Sequence, residues 1–301
     1  MSAVSAELPR AKSDGRVAEL EDVLNRTIYH PLAFRLARLL VPTGVTPNAV
    51  SIVSGTLVCL AAVFYTQVDW PAGALAGFAC HLAWHVADGA DGDLARLTGK
   101  ASPLGEFIDG AADYLGHIFL YVLLSSMLDD GPVGGWAWAL AAVSGASRIA
   151  QSNHSETQRR QYLWRVYGIG WLKTQPSADS RAFAAGNPLS RAAASVIRAY
   201  LGLAAWTAPY SASLDRVVED AAADPARLAQ VRRRIRDAAH GSLVLEKALG
   251  ANWRTILLGL CMLLASPLWY FLWEAVVLNV VLVVSTLHHN RVERRLLAEL
   301  G

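Results

Sequence analysis

Charge is scarce in this 301-residue chain. Only 17% of its residues are Asp, Glu, Lys or Arg, where a soluble domain carries about 25%. With 53% hydrophobic residues, gathered in long runs, and a mean hydropathy of +0.30, that shortage excludes an ordinary soluble domain and indicates a polytopic membrane protein. Cysteine is scarce too. Cys59, Cys80 and Cys261 lie inside apolar runs without CxxC spacing, which excludes a disulfide framework and a zinc site. The first thirty residues are polar and mixed in charge, with no apolar core, so no cleavable signal peptide is read there. There is no internal repeat. The net charge of +2 says little about partners, and no nucleic acid is expected among them.

What the chain does have is a series of apolar segments. Residues 1–16 read as a polar tail. Residues 17–45 read as an amphipathic helix lying in the membrane interface: Leu20, Val23, Leu24, Ile28, Leu32, Leu36, Leu39 and Leu40 recur at steps of three and four, with Arg26, Arg35 and Arg38 among them. Thr46-Pro47-Asn48 marks the next helix start, with Asn48 expected as N-cap. Six spans are predicted, at about 49–66, 71–96, 105–128, 133–150, 252–266 and 267–287. The fold class is therefore all-α, a six-helix membrane domain over 46–301 with a cytoplasmic helical insertion at about 157–250. Within it, Ser190–Leu203 reads as a second interfacial helix. Six Lys/Arg precede the first span, two lie between the second and third, sixteen run from Arg148 to Arg254 and three are in the tail, which accounts for all 27; the opposite turns hold none. By the positive-inside bias both termini are cytoplasmic, in a cell inner membrane.

The chemistry gathers between residues 88 and 113. Asp88 and Asp91 are three apart and Gly92 is four from Asp88, so they share one helix face. Gly105, Asp109 and Asp113 form a second stripe at four-residue steps. Two antiparallel helices would bring these four carboxylates together. Asp93 faces away and is read as solvated. Left unneutralised, such a cluster would repel itself; hard divalent cations with oxygen ligands remove that problem, and magnesium suits carboxylates plus phosphates. Two such ions, about 3.5–4 Å apart, can clamp the attacking and leaving oxygens of a phosphoryl transfer. Arg96, one turn on, offers a planar fork for a phosphate.

The pattern Asp88-x2-Asp91-Gly92-x2-Ala95-Arg96-x8-Gly105-x3-Asp109-x3-Asp113 resembles the signature of the CDP-alcohol phosphotransferases at every position. At about one in 15 per fixed position, eight matches arise by chance on the order of once in 10⁹ starts. The resemblance extends to Thr46-Pro47-Asn48 and the six-span plan. It implies a CDP-alcohol donor, often CDP-diacylglycerol, and two magnesium or manganese ions per active site. Asp88, Asp91 and Asp109 would hold one ion and Asp91, Asp109 and Asp113 the other. Asp113 would be the general base that activates an acceptor hydroxyl, with CMP released. Gly92, Arg96, Ser102, Asn48 and Ser51 would contact the CDP-alcohol. A homodimer is implied in the same way.

The acceptor site is expected at residues 147–162, where hydrogen-bonding side chains are dense, with Arg148, Asn153, His154 and Arg159 as candidates. The competing reading of that stretch is a solvated helix exit against anionic lipid. His81 and His85 read as packing residues, His117 either as a partner of Asp113 or as packing. Glu274 and Asn279, inside the last span, receive no chemical role. Two rival functions remain: a divalent-cation transporter, disfavoured because the acids cluster at one membrane face, and a non-catalytic family member, disfavoured by the complete aspartate set.

Overall fold

A computed structural model describes residues 17, 19–169 and 202–301. The polar tail at 1–16 and most of Ser190–Leu203 lie outside the described residues. Every regular element among the described residues is helical. The chain divides into two compact units. One is built from Glu21–Arg148 and Ala251–Leu278, the other from Ile149–Gly250 and Asn279–Gly301 with the described residues before Glu21. The predicted insertion is thus part of a unit of its own.

The first unit opens with a π-helical turn, Asn25–Tyr29, running into α1 (His30–Leu40) and a 3₁₀ turn, Val41–Thr43. Here Ala33 and Ala37, both fully buried, pack with Val50, Ala90 and Leu94, whereas Val23, Ile28, Leu32 and Leu39 stay exposed. The leucine stripe is therefore divided: Leu36 and Leu40 pack against this small core, and those four face outward. Small alanines let α1 approach its neighbour closely. α2 (Pro47–Gln67) follows. Its N-cap is Thr46, not Asn48: Thr46 is extended, its hydroxyl accepts from the Ala49 N–H at 3.2 Å, and Pro47 takes the first helical position, where its missing N–H costs nothing. Asn48 then lies inside the helix with its side chain free for other work.

α3 (Ala72–Thr98) and α4 (Pro103–Asp129) both lie along α2, and few close backbone approaches join α3 to α4. α2 and α4 meet at small residues. A Cβ on Gly55 would stand 2.7 Å from the Ala112 carbonyl oxygen, and one on Gly116 2.9 Å from the Gly55 carbonyl oxygen; only glycine permits this approach. The apolar core beneath collects Val58, Ala61, Tyr65, Trp84, Leu124 and Phe271.

α5 (Trp136–Tyr167) is one helix of 32 residues. The sequence predicts its end near residue 150, but residues 146–167 contain no Gly or Pro, so nothing breaks it where the composition turns polar. The second unit adds α6 (Ser211–Ala221) and α7 (Pro225–Ala248), the latter capped by Asp224, which accepts from the Ala226 N–H at 2.9 Å. Leu163, Val166, Leu214, Val218, Ile235 and Leu296 form its core. Buried Arg165 is clamped between Asp215 at 2.6 Å and Glu293 at 2.5 Å.

α8 (Ala251–Leu263) has 13 residues, about 20 Å, short for a bilayer crossing. α9 (Leu268–Leu272), a π-helical turn at Trp273–Val277 and α10 (Leu278–Leu300) complete the chain. Among the described residues, three helical segments, Pro47–Gln67, Leu104–Asp129 and Leu268–Leu300, are long and apolar enough to cross a membrane, and the chain is read as an integral membrane protein. Ile52 and Val53 on α2, and Leu115 and Ile118 on α4, are exposed. Lipid is the solvent that suits such apolar surface.

Candidate active site

The helical faces read from the spacing do converge. α3 supplies Asp88 and Asp91, and α4 supplies Asp109 and Asp113. Both helices pack along α2, and these side chains meet. The Asp91 and Asp109 carboxylates approach each other closely enough to share a proton or a cation. Asp88 lies within electrostatic reach of Asp91, Asp109 and Asp113.

α2 also contributes directly. The Ser51 hydroxyl donates to Asp91 Oδ2 at 2.5 Å, and lies 3.3 Å from the Pro47 carbonyl oxygen. Ser51, expected at the donor substrate, is hydrogen-bonded to an aspartate. Asn48 reaches the start of α4: a Cβ on Gly105 would lie 3.3 Å from Asn48 Oδ1 and 3.2 Å from Ser102 Oγ. Ser102 caps α4, accepting from the Gly105 N–H at 3.1 Å. Asn48, Ser102 and Gly105 thus come together at the start of α4. Arg96 lays its guanidinium over Gly92, with Nη1 3.4 Å from where a Cβ would stand.

Asp93 corrects the sequence reading. It is 3% exposed and pairs with Arg96 at 2.7 Å. α3 packs against α1, α2 and α8, so the side turned away from the catalytic stripe is not a solvent face.

His117 is the partner of Asp113 rather than only a packing residue. Its Nδ1 lies 2.9 Å from the Asp113 carbonyl oxygen and 3.1 Å from Oδ1. One Nδ1 proton can serve only one of the two, and Oδ1 is buried without a hydrogen bond of its own. His81 packs between Trp84 and His117, ring centroids 5.5 and 5.7 Å apart. His85 stacks on Tyr29 and lies 2.9 Å from the Thr255 hydroxyl.

Among the described residues, no three Asp, Glu, His or Cys side chains already stand as a cage for an ion. The donor chemistry nevertheless fits a divalent cation. Two carboxylates at such close approach need a shared proton or cation between them, and Asp113 offers an unserved buried oxygen. The donors are all oxygen, which selects magnesium or manganese over softer metals.

The acceptor candidates fall in different units. Arg148 lies within electrostatic reach of Asp113. The others belong to the second unit and are engaged there. Asn153 is fully buried. His154 Nε2 is 3.0 Å from the Ser285 hydroxyl and contacts the Gln158 amide. Arg159 pairs with Glu156 at 2.9 Å.

Sequence reasoning passed over Glu274. It is fully buried, with Arg254 Nε at 3.2 Å and Tyr270 Oη at 3.3 Å, and it accepts from Tyr121. An acid inside an apolar run, with arginines at the ends of two neighbouring helices, was the available signal.

Residues 44–168 match the model of the CDP-alcohol phosphatidyltransferase family. That segment belongs to this family. It contains the whole aspartate set, Asn48, Ser51, Arg96, Ser102 and Arg148. An archaetidylinositol phosphate synthase of Pyrococcus horikoshii is 37% identical over 82 residues, which is 27% of this chain and 41% of that relative. The CDP-alcohol phosphatidyltransferase segment thus accounts for less than half of the chain, and residues 170–250 fall beyond it.

Proposed function

We propose that the chain is a membrane-embedded, metal-dependent phosphotransferase. It would move a substituted phosphate from a CDP-alcohol, CDP-diacylglycerol in the first instance, to an acceptor hydroxyl in phospholipid synthesis. The observation that carries this reading is the meeting of four carboxylates from α3 and α4 within a segment of the matching family. The archaeal relative's name makes an inositol phosphate one acceptor to test.

Asp88, Asp91 and Asp109 would hold one magnesium ion and Asp91, Asp109 and Asp113 a second. When bound, the ions supply charge neutralisation for the diphosphate and for the oxygens of the displacement. Ser51 fixes Asp91, so that this ligand keeps its orientation. Arg96, over Gly92, faces the diphosphate, and Asn48 with Ser102 faces the CDP-alcohol at the start of α4. Asp113 takes the proton from the acceptor hydroxyl as its oxygen bonds to the β-phosphorus. The bond to the α-phosphate oxygen breaks and CMP leaves with the electron pair. His117 holds the Asp113 turn in place.

Six membrane crossings, with α1 lying in the interface on its exposed leucines, would put this site and both termini on the cytoplasmic face of a cell inner membrane. Two copies would pair as a homodimer there. The test is release of labelled CMP from CDP-diacylglycerol in the presence of magnesium. Asp113→Asn should lower the rate by a factor of at least about 10²–10⁴, the usual contribution of a general base. Full activity in that variant would sink the base assignment.

A further inference from the structure

Arg148 is a buried charge that the proposed chemistry has not used. Its side chain is 13% exposed, yet its polar contacts are long: Nη1 lies 3.5 Å from the Tyr270 hydroxyl and 3.9 Å from Glu274 Oε1. Charge-assisted pairs normally close to about 2.7–2.9 Å. Glu274 is nearer to Arg254, whose Nε is 3.2 Å from the same oxygen, and it also takes the Tyr121 and Tyr270 hydroxyls. Glu274 is therefore engaged by other groups, while the Arg148 fork, with five donors, has no acceptor at close range. A guanidinium held in a membrane interior without a close counter-ion is expensive, and an incoming oxyanion would relieve that cost. Tyr270, which Arg148 touches, has its hydroxyl 3.2 Å from that of Tyr121, and Tyr121 stands two turns beyond Asp113 on the same stripe of α4, so a molecule anchored on Arg148 would lie along the face that carries the proposed base.

We propose that the acceptor alcohol carries an oxyanion, a phosphate or a carboxylate, and that Arg148 binds that group while Asp113 takes the proton of the hydroxyl. This rests on the phosphotransferase reading of the aspartate cluster. It excludes neutral polyols as the preferred acceptors. It also excludes choline- and ethanolamine-type cations, which Arg148 and Arg254 would repel.

The experiment is CMP release from CDP-diacylglycerol by the full chain with matched acceptors. These are sn-glycerol 3-phosphate against glycerol, inositol 1-phosphate against inositol, and serine against ethanolamine. At least one anionic acceptor should exceed its uncharged or cationic counterpart about a hundredfold in kcat/KM. Arg148→Gln should raise the KM of that acceptor at least tenfold and leave the KM of CDP-diacylglycerol within about twofold, with Arg148→Lys recovering part of the loss. Equal use of neutral or cationic alcohols, or a parallel rise in both KM values, overturns the proposal. Should the glutamine variant fail to fold, the wild-type acceptor panel and the lysine variant decide. Absence of CMP release with every acceptor would count against the transferase reading itself. A separate arm then decides the anion site: inorganic phosphate should raise the melting temperature of wild type, less that of Arg148→Lys and not that of Arg148→Gln, and an identical response in all three would overturn it.

Discussion

At the scale of single residues, the central contact is Ser51 on Asp91. A hydroxyl at 2.5 Å orients a carboxylate proposed to hold two ions. Partners of metal ligands typically contribute ten- to hundredfold in affinity or activity. Ser51→Ala is therefore expected to lower CMP release by about that factor and to raise the magnesium concentration for half-maximal rate; an unchanged magnesium dependence would show that Asp91 needs no such support. The four aspartates were legible in the sequence because a three- or four-residue step on a helix places side chains on one face whatever surrounds it. Ser51 was legible only as a neighbour of the site, since its partner lies forty residues away. Asp93 was misread because helical periodicity tells which residues share a face, not which faces find a partner. Glu274 was passed over for a related reason: its partners come from α4, α8 and α9.

At the scale of elements, α2 is the wedge that sets the distance between α3 and α4. The close approach at Gly55 and Gly116 determines how deeply α4 seats, and with it the positions of Asp109 and Asp113. Gly55→Leu should cost about 1–3 kcal/mol or more through overpacking, seen as a lower melting temperature in detergent together with reduced activity. Gly110→Ala, on α4 with nothing within 4 Å of its Cβ position, should leave the melting temperature unchanged or slightly higher. A similar loss at both positions would refute the wedge. Helix existence was readable from the apolar runs, whereas ends were less so. α5 continues past residue 150 because composition changed there without any residue that breaks a helix. The cap of α2 fell on Thr46 because Pro47 occupies the first turn, a position Asn48 could not share.

At the scale of the whole molecule, the second helical unit carries buried charges that give it a pH response. Burial, with Glu156 nearby, pushes the Glu246 carboxyl up to about 7, against a lowering influence from the Ser155 hydroxyl and Arg159. The unfolded value is 4.5, so the folded protein binds the extra proton between these limits. Stability is then greatest below about pH 4.5 for this group and falls as pH rises towards 7, by on the order of 3 kcal/mol in all. Glu246→Gln should raise the melting temperature at pH 8 and change it little at pH 4.5; equal effects at both pH values would contradict the assignment. None of this was visible in the sequence, where the insertion read only as polar and basic. The central claim is that the four aspartates act together as one metal-dependent phosphotransfer site. The most direct measurement is a magnesium titration of CMP release, after EDTA treatment, for wild type and Asp109→Asn. The account predicts no release without the ion, recovery of wild type on its return, and a variant that stays inactive at saturating magnesium. Release that survives EDTA, or a variant that works as well as wild type, would contradict it.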